Sequence, residues 1–298
     1  MKIGVAVPYY EQYADYGTVL SIAAQAEELG FDVVWFADHV ALPGYDVPRM
    51  GGRWFEVLTL MSNLAAHVKT IGLGTDVLVL PHRNPILSAK MLTTLDIVSA
   101  GRLIIGVGGG YVPEEIEALG TPYRERGAFT DECLRVWKEL WGPGNANFQG
   151  RFLSFSDITA DPKPVQQPHP PIWVGNRGPR VLRRVAELGD GWHPVGLTFE
   201  ELEDGLSKLR ALWRENGRSV EPALCFSGLY GSVGDDAAPE KRKGLLTGSV
   251  SQVIEDLERL KAMGCVSVIF RLGIQEGTPE RVSQQMKLIA ERILPKVR

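Results

Sequence analysis

The 298-residue sequence predicts an α/β fold, a barrel of eight parallel strands alternating with helices. Two observations lead there. Apolar runs rich in valine, isoleucine and aromatic residues recur eight times, mostly without polar alternation, as in strands covered on both faces. Between them lie segments of helical periodicity with cap signatures at their starts. An open doubly wound sheet is the alternative arrangement of the same elements. A barrel of this kind accommodates a chain of this length as one domain, spanning residues 1–298.

The strands are expected over residues 2–7, 32–37, 70–79, 103–107, 172–175, 191–195, 223–231 and 266–271. Residues 18–29 place Leu20, Ala23, Ala24 and Leu29 on one helical stripe. Asn84-Pro85 reads as an N-cap followed by proline in the first turn, with the helix stopped at Gly101. A longer helix covers 124–141. Thr198 with Glu201 and Ser249 with Gln252 are capping boxes, and Thr278-Pro279 opens the last helix. Between the fourth and fifth strands an insertion over about 108–171 carries its own helix and the extended piece "NFQGRFLSFSDIT". A long excursion after a strand's C-terminal end is a functional candidate. The polar stretch "GDDAAPEKRKGLL", 234–246, reads as a mobile loop.

Composition narrows the function. A net charge of −4 argues against non-specific nucleic-acid binding and against an anionic membrane surface. No apolar run reaches the ~18 residues that a membrane span needs. The three cysteines lie far apart with no CxxC, so neither a disulfide framework nor a zinc site is expected, and the location reads as cytoplasmic. No metal-ligand spacing and no nucleophile elbow occur.

In a barrel, function collects at the strand ends. The second strand ends in Asp38-His39, a carboxylate and an imidazole suited to hydrogen bonding or proton transfer, or else a cap and a loop histidine. The third is odd: Thr75-Asp76 interrupts a buried apolar run, and Gly72 and Gly74 hint at a bulge or a close backbone approach. The fourth ends "GVGGGY", which fails as a dinucleotide fingerprint, although Gly108, Gly109 and Gly110 permit close approach of a flat ligand. The fifth ends "IWVGNRGPR": Gly175, Asn176, Arg177 and Gly178 before a proline-started helix make a phosphate seat. Arg180, Arg183 and Arg184 form one basic face, with solvated surface the simpler reading for the last two. Trp192 and His193 stack on a ring or simply pack.

Seven stretches in order, "LGFDVVWFADHV", "GRWFEVLTLMSNLAA", "IGLGTDVLVLPHRNP", "SAGRLIIGVGGGYVPEE", "ALGTPYRERG", "PPIWVGN" and "LGDGW", resemble the luciferase-like flavin and deazaflavin oxidoreductases. The nearest resemblance is to their coenzyme F420-dependent branch. It implies a (β/α)8 TIM barrel with a ring system in its mouth. It implies a non-proline cis peptide at Asp76–Val77, with Thr75 beside it, backing that ring. Asp38 and His39 then match an acid–histidine pair by the reactive carbon, His39 handling a proton and Asp38 anchoring the cofactor. Gly108 and Gly109 match a ring-proximal turn, and Val174, Gly175, Asn176, Arg177 and Gly178 the phosphate seat.

Two departures stand out. "VALPG" replaces the aromatic that the family's glucose-6-phosphate dehydrogenases place after the histidine, and Tyr111 replaces their acidic residue after the glycine turn. Sugar-phosphate oxidation is therefore not expected; Tyr111, Trp54 and Arg53 shape the substrate mouth instead. The leading expectation is an F420-dependent oxidoreductase acting on a small organic molecule, with Arg177, Arg180 and Lys163 towards the cofactor's anionic tail. The alternatives are an FMN-dependent monooxygenase served by a reductase, and a non-catalytic flavin-binding protein. A homodimer is expected by resemblance, through the faces of 55–67 and 84–99.

Overall fold

The computed structural model describes residues 1–234, 242–272 and 277–298. Its main sheet runs β1 (Lys2–Ala6), β2 (Val33–Phe36), β3 (Gly72–Thr75), β4 (Leu78–Val79), β5 (Leu103–Gly108), β8 (Ile172–Gly175), β9 (Gly191–His193), β10 (Ala223–Gly231) and β11 (Cys265–Leu272). β6 (Ala146–Gln149) and β7 (Ser154–Ile158) form a separate antiparallel hairpin. All main-sheet pairings are parallel. Leu73 and Gly74 of β3 pair with Leu103 and Ile104 of β5, which closes the sheet into the expected barrel.

The third barrel strand carries the cis Asp76–Val77 peptide that the resemblance implied, and the segment expected as one strand over 70–79 stands as β3 and β4 on either side of it. β3 follows β2 as far as Phe36↔Thr75; β4 then pairs only with β5, through Leu78↔Val107 and Val79↔Gly108. β4 has left β2 at that point. The Asp38 carboxylate accepts from the Val79 N–H at 2.8 Å, giving that amide an acceptor that no strand supplies. The sixth strand is also shorter than expected, ending at His193 before Pro194.

Helices α1 (Tyr16–Glu28), α3 (Val57–His67), α4 (Pro85–Val98), α7 (Pro179–Leu188), α8 (Phe199–Glu215), α9 (Val250–Ala262) and α10 (Pro279–Arg292) cover the barrel. Their starts follow local chemistry. Asn84 accepts from the Ile86 and Leu87 amides, and both expected capping boxes form. Each such cap contributes about 1 kcal/mol. Three short helices had no clear periodic signal: α2 (Val47–Met50), α5 (Pro113–Ala118) and α11 (Leu294–Val297). Among the described residues no helix is long and apolar enough to cross a membrane. Of the loop expected at 234–246, residues 235–241 lie outside the described residues.

The insertion holds α5, α6 (Arg126–Trp141) and the β6–β7 hairpin. α6 packs on α4 through indole donors: Trp137 Nε1 to Pro85 O at 3.1 Å, and Trp141 Nε1 to Thr93 Oγ1 at 2.9 Å. Buried Glu132 accepts from the backbone amides of Arg151, Phe152 and Leu153 and so fastens the hairpin turn to α6. The main core lies between barrel and helices. A second, smaller one fills the lumen: Val33, Trp35, Ile104, Trp173, Cys225 and Ile269. Trp35 and Trp173 stack there with centroids 5.8 Å apart.

Candidate active site

His39 stands at the C-terminal end of the barrel, 7% exposed. Its Nδ1 lies 2.9 Å from Oε2 of Glu115 on α5. The other Glu115 oxygen accepts from the Val40 and Ala41 amides, so the carboxylate is held from both sides. Burial alone would raise the Glu115 pKa, but the hydrogen bonds from His39 and Val40 and the neighbouring imidazoles bring it below the usual carboxylate value. His39 Nε2 is thereby aimed at the Tyr111 hydroxyl, 3.4 Å away. Edge-on contacts with Trp54 and Tyr111, at 4.9 and 5.8 Å between centroids, wall the imidazole in, and Tyr10 stacks on Trp54 at 4.3 Å.

Asp38 is spoken for by the chain's own donors. Arg83 grips it with two guanidinium nitrogens, at 2.6 and 2.9 Å, and Val79 N–H adds a third bond. Its side chain has no accessible surface. Burial opposes ionisation, yet the nearby His82 imidazole and the charge of Arg83 hold its pKa down at about 2. Arg83 also reaches Glu56 at 2.7 Å, the residue that caps α3. The cofactor-anchor part expected of Asp38 is therefore taken by an internal ion pair.

Asp76 faces inward, beneath the mouth. Its carboxylate is met by His193 Nε2 at 3.0 Å, Ser227 Oγ at 3.2 Å and Arg271 Nη2 at 2.7 Å. Burial would raise its pKa, but Arg271 and His193 lower it on balance. Around Asp76–Val77 the walls are glycines for lack of room. A Cβ on Gly106 would sit 2.1 Å from the Thr75 carbonyl oxygen, and Cβ atoms on Gly108 and Gly175 would press on the Val77 methyls at 2.7 and 2.9 Å. Thr75 Oγ1 donates to the Gly106 carbonyl at 2.7 Å.

From Gly109 and Gly110 a cleft of about 590 Å³ leads past Gly175 and Asn176 along the α6–α7 seam. Arg124, Arg126, Arg180, Arg183 and Arg184 line it, against Asp131 and Glu187. Arg184 is paired with Asp131; Arg124, Arg180 and Arg183 have no ion-pair partner among the described residues. α7 opens from Gly178 without a side-chain cap, so its first amides remain available to an anion. A model of the luciferase-like monooxygenase family matches residues 1–292.

The chain belongs to that family. Similar members include an F420-dependent glucose-6-phosphate dehydrogenase from Kineococcus radiotolerans, 36% identical over 229 residues, 72% of this chain and 66% of that one. Its counterpart from Amycolatopsis mediterranei is 33% identical over 210 residues, 69% of this chain and 61% of that one. The matches thus span under two thirds of either dehydrogenase's length. An FMNH2-dependent dimethylsulfone monooxygenase from Pseudomonas putida is 32% identical over 141 residues, 46% of this chain and 39% of that one. Among solved structures, the monooxygenase RslO1 from Streptomyces bottropensis superposes with a TM-score of 0.83 at 23% identity, covering 99% of both chains.

Within this luciferase-like barrel the structure gathers most residues that the sequence singled out. His39, Thr75, Asp76, Val77, Gly108, Gly109, Val174, Gly175, Asn176 and Gly178 all lie at strand ends on one barrel face. Two cations do not go where they were expected. Arg177 turns away from the cleft to Glu201 on α8, at 3.2 Å, and Lys163 is tied to the Leu140 carbonyl at the end of α6. Conversely Arg183 and Arg184, read as solvated surface, line the cleft. Glu115, Arg271, His82 and the pairing of His193 were missed; only a fold-level argument brings such distant residues together.

Proposed function

We propose that this protein is an F420-dependent oxidoreductase, carrying hydride between the deazaflavin and a small uncharged organic substrate. The observation that carries the reading is the arginine-lined cleft. FMN ends in a single phosphate, whereas F420 continues into an anionic tail, and five arginines running on from the α7 N-terminus suit the longer anion. By the family resemblance, Thr75, Asp76, Val77, Gly108, Gly109 and Val174 would lie against the ring. When bound, the deazaflavin supplies the hydride chemistry. The chain's part is to position, shield and move one proton, which His39 holds at Nε2 while Glu115 fixes its Nδ1. That aimed imidazole favours an enzyme over a flavin-sequestering protein.

An uncharged substrate is supported by the cations near the mouth, each already engaged: Arg49 with Asp46, Arg53 with the Ala14 carbonyl, Arg83 with Asp38 and Glu56, Arg271 with Asp76. A phosphorylated sugar would find aromatic rings instead. The FMN-dependent relative supports the second reading, a monooxygenase fed by a separate reductase. Calorimetric titration of the chain with F420 and with FMN decides between them. We expect F420 to bind in the micromolar range and FMN at least about tenfold more weakly; tight FMN binding with no F420 signal would sink the proposal. A homodimer is supported by a stripe on α4, where Leu87, Ile97 and Val98 are exposed beside half-buried Met91. Three buried, unpaired cysteines support a reducing, cytoplasmic location.

A further inference from the structure

His82 is buried at the mouth, and among the described residues neither of its ring nitrogens makes a hydrogen bond within ordinary reach. Its side chain is 1% exposed. Nδ1 lies 3.8 Å from Asp38 Oδ2, and Nε2 lies 3.7 Å from Glu115 Oε2. Nδ1 is left without a hydrogen-bond partner among the described residues. A neutral imidazole carries one N–H and one lone pair. Placed here, it would serve one carboxylate and turn its lone pair on the other. Only the doubly protonated ring offers a donor and a positive charge to both.

The charges of the cluster lead to the same answer. Three carboxylates meet in it: Asp38 after β2, Glu115 on α5 and Glu56 before α3. Among the described residues Arg83 is the one guanidinium that meets them, and it contacts Asp38 and Glu56 but not Glu115. Two tyrosines also pack against this corner: Tyr111 meets His39 Nε2 at 3.4 Å, and Tyr9 donates to the Ala37 carbonyl and is driven well above its usual pKa by burial and then by Asp38, so it stays neutral. Buried carboxylates without a compensating cation are costly. His39 cannot be the standing countercharge for Glu115 if it gives and takes a proton at Nε2.

We propose that His82 is a positioning residue: it bridges the Asp38 and Glu115 carboxylates as an imidazolium and keeps Glu115 seated on Nδ1 of His39. The Asp38–Arg83 pair and the Glu115–His39 pair then form one unit. Its centre is a fixed positive charge that offsets the field of Glu115 on His39. The inference concerns the chain's own residues and holds whichever ring occupies the mouth, so its failure leaves the F420 reading intact.

Nitrogen-15 spectroscopy of the full chain labelled at histidine tests this directly, with His82 assigned by its loss in His82→Gln. At about pH 7.5, above the usual histidine range, the His82 ring is expected to show two bonded protons. A single neutral tautomer would overturn the proposal. In His82→Gln, Glu115 acts on His39 without the offset, which favours protonated His39. Its titration midpoint should move upward by about one pH unit. An unmoved midpoint in a folded variant contradicts the bridge, because a merely space-filling His82 leaves no charge to miss. Should His82→Gln fail to fold, the wild-type spectrum still decides, with the assignment taken from His39→Asn and the three remaining imidazoles.

Discussion

At the scale of single residues, the site depends on which side chain is free to act. His39 presents Nε2 to the mouth; Asp38 does not present anything. His39→Ala should lower turnover on any accepted substrate by about 10²–10⁴-fold, with cofactor affinity measured by calorimetry unchanged. Equal turnover would remove His39 from proton handling. Arg83→Met leaves Asp38 buried without its cation and is expected to cost about 3–5 kcal/mol in urea unfolding. The same pair sets an acid limit. Asp38 has its folded pKa at about 2, below the ordinary 3.8. Its contribution to stability is therefore complete above about pH 4 and is lost as pH falls towards 2. Asp76, also lowered, works in the same direction. Unfolding midpoints followed between neutral and acid pH should fall through that window, and by less in Asp38→Asn.

At the scale of elements, the strands were readable because both of their faces are covered. Their runs are apolar without alternation, and all eight barrel positions stand in the expected order. The break in the third strand was readable too, as a polar pair in an apolar run between glycines. What balances that pair was not. His193 lies 117 residues from Asp76 and Arg271 lies 195 residues away, while Glu115 is 76 residues from His39. Nothing local marks such residues: Glu115 reads as an ordinary acid in the first turn of a short helix, where its charge would favour the N-terminus anyway. The two misplaced cations, Arg177 and Lys163, have the same explanation, since partners from α8 and α6 are invisible in their own neighbourhoods. The insertion depends on one such distant hold. Glu132→Ala removes the acceptor of three hairpin amides and should release the β6–β7 turn. Faster amide exchange at 151–153, with the barrel amides unchanged, would be the sign.

At the scale of the whole molecule, an acidic chain of net charge −4 carries one concentrated basic cleft. Local field rather than net charge governs anion binding there. Affinity for an oligoanionic cofactor should thus fall steeply with added salt, and Arg180→Glu should weaken F420 by about tenfold or more while leaving the melting temperature alone. Affinity that ignores both salt and Arg180 would place the anion elsewhere. The α4 stripe makes a separate claim about assembly. Leu87→Glu should convert a dimer into monomers in light scattering, and a monomeric wild type would remove that claim.

The stacked pair in the lumen gives the barrel an optical property. Trp35 and Trp173 lie in the apolar cluster under the mouth, and among the described residues the Trp35 indole nitrogen has no hydrogen-bond partner. Indoles so shielded from water emit towards the blue. A deazaflavin or flavin ring bound in the mouth would absorb in that region and drain the excitation. The lumen would then act as a built-in lamp whose dimming reports that the mouth is filled. Exchanging Trp173 for phenylalanine should turn down that signal without touching any group that holds the ring.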